Sequence, residues 1–237
     1  MRPTPAEARL LEAGEALDRI ETQVRAGSTD LGALGFWRVV ASIKRDPVMV
    51  IALADQAGRI DRDAFRARVR LRVPVWAGTL LLVLVVLAGA AAIVLADVWT
   101  GTVAGLALLA AALAWSVGLH SPTHQLYAWF VGIRCTDYFL GGPPPPRPGI
   151  KTDYATYLRT EPARRAWFHA SGAIATKLAP FVVVALSPLT NAPGWAIVAA
   201  AALGVLQIVT DVVFSTRSSD WKKFRRERAI DRATRRR

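Results

Sequence analysis

The stretch Val73–Ala96, VPVWAGTLLLVLVVLAGAAAIVLA, carries no charged residue across 24 positions. A helix needs about 20 apolar residues to cross the roughly 30 Å hydrocarbon layer of a bilayer, so this stretch predicts a membrane-spanning helix. Three comparable runs come after it. Gly101–Ile133 is uncharged, Ala166–Leu189 holds one lysine, and Ala192–Phe214 holds one aspartate. The fold class implied is an all-α polytopic membrane protein with four transmembrane helices, over about 73–96, 102–133, 166–189 and 193–214. These helices form a membrane domain over 73–215. It is flanked by a cytoplasmic helical region (1–72) and a basic cytoplasmic tail (216–237), and interrupted by a Pro-rich cytoplasmic loop (134–165).

The formal charge of +12 would point to nucleic acid in a soluble protein, but its distribution gives another cause. Of 30 Lys and Arg, all but Lys177 lie in residues 1–72, in the 134–165 loop, or after Phe214. The two remaining connections, near Asp97–Gly101 and Thr190–Gly194, carry neither residue. This alternation obeys the positive-inside rule at every crossing. It predicts a multi-pass protein of the cell membrane with both termini cytoplasmic, and it leaves no reason to invoke nucleic acid. The tail SDWKKFRRERAIDRATRRR places Trp221 and Phe224 among basic residues, a composition suited to anionic lipid headgroups. The N-terminus lacks the apolar core and small-residue cleavage site of a signal peptide; the first membrane helix is expected to act as an uncleaved insertion signal.

In the N-terminal region, Leu10, Ala13, Leu17, Ile20 and Val24 recur at the spacing of one helix face. Gly27-Ser28 ends that pattern, Asp30 is a cap candidate, and a second apolar-basic pattern is interrupted at Asp46-Pro47. The 134–165 loop opens on a short β-prone run, Cys135–Leu140. Gly-Gly and four prolines come next, which favour an extended polyproline conformation. Tyr138, Phe139, Tyr154 and Tyr157 suggest a return to the membrane interface. Cys135 is the only cysteine, which excludes an intrachain disulfide and a zinc-thiolate cluster.

Ionisable groups inside apolar segments are expensive and are functional candidates by default. Here they are His120, His124, Lys177 and Asp211, with His169 nearer a helix mouth. His120 and His124 are spaced i, i+4, so they share a helix face and can ligate one metal as in H-E-x-x-H sites. Asp211 lies on another helix, and two histidines with one carboxylate form a recurrent zinc set. The alternatives are that the histidines hydrogen-bond to neighbours and that Lys177 pairs with Asp211.

The stretch HSPTHQLYAWFVGIR, with His120, His124, Ala128 and Gly132-Ile133 in place, resembles the histidine-helix motif of the site-2 protease family of intramembrane zinc metalloproteases. EPARRAWFHASGAIATK, with a small-Gly turn at Ser171-Gly172, is similar to that family's next helix. The resemblance runs from about Leu106 to Phe214. It implies zinc on His120, His124 and Asp211, with Asp211 two helices after the histidines. The sequence departs from the family at the catalytic Glu, whose position is Ser121, followed by Pro122. Asp211 also lacks the glycine that follows it in the family. Asp137 and Asp153 are the loop carboxylates that could supply a base. The expectation is a pseudoprotease or atypical metallopeptidase that binds a membrane-protein helix or a juxtamembrane peptide. The rival expectation is a non-enzymatic scaffold that binds a partner or anionic lipid through its cytoplasmic regions.

Overall fold

A computed structural model describes residues 4–141, 147–213 and 219–236; the four-proline run 143–146 lies outside them. The chain is predominantly helical and divides into two compact units. In chain order the elements are α1 (Pro5–Arg25), α2 (Phe36–Ile43), α3 (Pro47–Arg68), β1 (Arg72–Pro74), α4 (Val75–Val98), α5 (Gly101–Gly118) and α6 (His120–Val131). They continue with β2 (Cys135–Gly141), β3 (Arg147–Thr152), α7 (Tyr154–Arg159), α8 (Pro162–Leu186), α9 (Gly194–Val213) and α10 (Asp220–Arg235). A 3₁₀ turn, Ser187–Leu189, succeeds α8.

The first unit comprises residues 1–75, 129–165 and 228–237. Thr4 caps α1 in a reciprocal capping box with Glu7, and Pro5 opens the helix where its missing N–H costs nothing. Ala13, Leu17, Ile20 and Val24 form the buried stripe of α1 and join Phe36, Val40 and Ile43 of α2 and Leu53, Ala57 and Ile60 of α3 in one core. Asp46 caps α3 by accepting from Val48 N at 3.0 Å. β1, β2 and β3 form an antiparallel sheet in that order, pairing Val73 with Tyr138 and Tyr138 with Ile150. The aromatic residues of α7 pack in and against this core. Tyr157 is 4% exposed, and Tyr154 packs edge-on against Trp37 at 5.8 Å. A buried ion pair, Asp61 with Lys151, ties α3 to β3.

The second unit comprises residues 76–128 and 166–227. Four helical segments are long and apolar enough to span a membrane: Val75–Val98, Gly101–Val131, Pro162–Leu189 and Gly194–Val213. Their outward surfaces are apolar. Leu81, Leu87, Val94, Val198 and Val212 are each more than half exposed, an arrangement that water would penalise and acyl chains would not. Inside, small residues bring the helices together. Ala96, Ala111, Ala112, Ala196 and Ala200 are fully buried beside Leu108 and Val183. A Cβ on Gly89 would meet Trp115 at 2.5 Å, and one on Gly105 would meet Trp195 at the same distance.

The segment 102–133, expected as one helix, is one candidate span, Gly101–Val131, with a one-residue break at Leu119 between α5 and α6. Pro122 supplies the reason. It has no N–H for the carbonyl of Gly118 four residues back, so the helix restarts at His120 with Pro122 in its first turn. The Ser171-Gly172 pair, expected at a turn, lies inside the continuous helix α8.

Candidate metal centre

The restart at Leu119 opens α6 on the two histidines. Spaced by one turn, their rings meet edge-to-face at 4.8 Å between centroids. What lets α8 come this close is Gly172. A Cβ there would lie 2.4 Å from both Cδ2 and Nε2 of His124, and 2.6 Å from the carbonyl oxygen of His120.

Each ring is oriented through Nδ1. His124 Nδ1 donates to the carbonyl of Phe168 at 2.6 Å, and a carbonyl can only accept. His120 Nδ1 meets Thr176 Oγ1 at 2.9 Å. That hydroxyl already donates to the carbonyl of Gly172 at 3.0 Å, so toward His120 it accepts. In both rings Nδ1 therefore carries a hydrogen, and Nε2 is the nitrogen left to face a further partner. This is the outer hydrogen-bonding pattern that prepares an imidazole to bind a metal.

Both Nε2 atoms face one carboxylate oxygen. His120 Nε2 and His124 Nε2 each stand 3.5 Å from Asp220 Oδ2. The other oxygen, Oδ1, is held by Lys223 at 3.2 Å. Burial acts to raise the carboxyl pKa of Asp220, but its contact with His124 and the charge of Lys223 outweigh it. The group is held below the usual carboxylate range and is ionised at neutral pH.

Two imidazole nitrogens and an anionic oxygen converging on one point form a donor set suited to a cation. Direct imidazolium–carboxylate bonds would be about 2.7–2.9 Å long, well short of 3.5 Å. By contrast, two donors each about 2.1 Å from a tetrahedral ion stand roughly 3.4 Å apart. The three donor atoms lie within 4.8 Å of one another, close enough to hold a metal ion. His124 is buried and the other two residues are partly exposed, which leaves an accessible side for a fourth ligand.

Asp211 does not belong to this group. It pairs with Lys177 at 2.7 Å, because an apolar surround favours neutralising the cation on α8 with the nearest carboxylate on α9. The carboxylate that joins the histidines is instead the first residue of α10. A signal for it exists in the tail: Asp220, Glu227 and Asp231 fall at i, i+7 and i+11, one helix face. Glu227 and Asp231 are 4% and 7% exposed, while Arg225, Arg226, Arg232 and Arg235 are exposed. Within the second unit, Phe224 packs on Trp167 at 5.5 Å and helps dock the start of α10.

The remaining candidates have assigned places. Ser121 is half-buried beside His120. His169 lies within electrostatic range of Lys223, Asp220 and Glu227. In the first unit Asp153 caps α7, accepting from Thr156 N at 2.9 Å, and Asp137 is paired in the sheet with Pro74 and Lys151. Comparisons with models of protein families, with curated proteins and with solved structures found no match.

Proposed function

We propose that this chain is a divergent site-2-protease-like integral membrane protein that binds zinc through His120, His124 and Asp220. In this reading it acts as a pseudoprotease, or as an atypical and slow intramembrane metallopeptidase. All four apolar segments cross the bilayer, and the termini and the 134–165 loop are cytoplasmic, in line with the Lys/Arg distribution. The observation that carries the reading is the convergence of two Nδ1-fixed imidazoles on one ionised carboxylate oxygen. Two nitrogens, one oxygen and an open side are the donor set of catalytic rather than closed structural zinc sites. Zinc bound there would supply Lewis acidity toward a peptide carbonyl.

The chain's own residues limit the chemistry available at this centre. His120 and His124 orient it and Lys223 holds the second oxygen of Asp220, but Ser121 stands where the related enzymes carry a general base. Its hydroxyl stays protonated near neutral pH, and loss of general acid–base catalysis costs about 10²–10⁴-fold in rate. The pocket then serves mainly to hold a membrane helix or a juxtamembrane segment. A scaffold reading draws on the exposed basic face of α10, which suits anionic lipid. Elemental analysis of the detergent-purified chain separates the two. Near one zinc per chain supports the metal centre, and a zinc-free wild type after zinc loading leaves the scaffold. Cleavage of a membrane-helix substrate gained by Ser121→Glu would identify the missing base as the block to turnover.

A further inference from the structure

The first unit contains a cavity of about 380 Å³, within the range of small-molecule sites. It lies among the end of α2, the start of α3, α7, the start of α8 and Thr234 of α10. Lys44, Arg45, Arg159 and Arg165 line it, with Glu161 as the one carboxylate in the lining. Glu161 is engaged by Arg164 at 3.3 Å, and Arg159 by Asp55 at 2.6 Å. The charge facing the cavity is thus strongly positive.

Two of these cations are held in place. Arg165 is 1% exposed. Its Nη1 donates to the carbonyls of Leu158 at 2.9 Å and Thr160 at 3.1 Å, and its guanidinium lies over the Tyr157 ring at 5.6 Å. Lys44 Nζ sits over the same ring at 4.8 Å. A buried, carbonyl-anchored guanidinium has lost its rotamer freedom before any ligand arrives, which favours binding a planar or tetrahedral oxyanion. The 22-residue α3 and the 25-residue α8 both begin at the cavity, at Pro47 and Pro162, and add the positive ends of their dipoles.

The other wall is apolar, formed by Val50, Ile51 and Leu158. Ile51 is 77% exposed. A fully hydrated anion gains nothing from such a wall, and a neutral lipid gains nothing from the cations. An anionic head joined to an apolar body uses both. Pro162 in the lining also opens one of the four candidate spans, so the cavity includes the first residue of a segment apolar enough to enter a bilayer.

We propose that this cavity binds the phosphate headgroup of an anionic phospholipid, with the phosphate at Lys44, Arg45 and Arg165 and the start of the acyl chains against Val50 and Ile51. Its lining shares no residue with the His120–His124–Asp220 group, and α10 contributes only Thr234 to it. Native mass spectrometry of the detergent-purified full chain tests it, with phosphatidylglycerol, phosphatidylcholine or inorganic phosphate added. The expected result is adducts with phosphatidylglycerol at concentrations at least tenfold lower than with phosphatidylcholine. Lys44→Gln with Arg45→Glu should weaken phosphatidylglycerol binding roughly 30-fold, taking about one decade or less per basic group at a headgroup layer. Ile51→Asp, which keeps the cations, should weaken it as well. Arg225→Gln with Arg226→Gln on α10 should leave it unchanged. Equal binding of the two lipids, or loss of the preference only in the α10 variant, would overturn the assignment. Displacement of the lipid by millimolar inorganic phosphate would also overturn it, in favour of a soluble phosphate ligand.

Discussion

Replacing Gly172 by alanine puts one methyl group where the metal centre has no room. The new Cβ would lie 2.4 Å from His124 Nε2 and Cδ2, about 1 Å inside ordinary van der Waals contact. Either the ring moves or α8 moves away from α6. Both break the alignment of Nδ1 with the Phe168 carbonyl, now 2.6 Å, and shift Nε2 relative to Asp220. Perturbing the partners that orient a metal-bound histidine costs about 10–100-fold in metal affinity. Overpacking adds about 1–3 kcal/mol of destabilisation, offset by the roughly 1 kcal/mol that alanine gains over glycine inside a helix. The net expectation is a Tm that falls slightly or stays level and a zinc affinity that falls by one to two decades. Competition with a chromophoric chelator in detergent measures the affinity, and differential scanning fluorimetry the stability. Gly194→Ala, where nothing lies within 4 Å of the added Cβ, is the control. Gly172→Ala with wild-type zinc affinity and a raised Tm would refute the packing argument and the metal geometry built on it.

Two further outcomes concern the first unit. Removing one partner of the buried Asp61–Lys151 pair by Asp61→Ala strands the ammonium and should cost about 3–5 kcal/mol. The apolar double replacement Asp61→Leu, Lys151→Met should recover most of that, so chemical denaturation of the two variants distinguishes a stranded charge from a lost contact. Burial pushes the Cys135 thiol up to about 12. Maleimide labelling of the native chain should therefore stay slow through about pH 9 and become fast on denaturation; rapid native labelling near neutral pH would contradict the burial of that sulfur.

The four apolar spans were legible because membrane crossing is a local property: length and absence of charge over about 20 residues suffice. The face shared by His120 and His124 was equally local, a matter of helical period. The carboxylate that joins them was not. Asp211 is the acidic residue inside an apolar run and so attracts attention, but Lys177, one helix away, satisfies it. Asp220 becomes a candidate only once the tail returns to the second unit, and that return depends on α10 turning its acidic stripe inward and its arginines outward. The first strand of the sheet was hidden for a related reason. Arg72–Pro74 is three residues long, too short to carry a pattern, and its strand character comes from pairing with Asp137–Phe139 more than sixty positions away. Tyr154 and Tyr157 read as interface anchors because aromatics near an apolar span do so; their packing partners, Trp37 against half-buried Tyr154 and Lys44 and Arg165 over buried Tyr157, come from distant positions and were not legible.

The most direct test of the metal centre is to compare zinc affinity in Asp220→Ala and Asp211→Ala. Binding of about 10–16 kcal/mol shared among four ligands makes one ligand worth roughly 3 kcal/mol, or about two decades. Asp220→Ala should lose about 100-fold or more, as should His120→Ala and His124→Ala. Asp211→Ala should lower stability by stranding Lys177 and leave affinity within about threefold of wild type. The reverse pattern, affinity lost with Asp211 and kept without Asp220, would contradict the assignment of Asp220 as the third ligand.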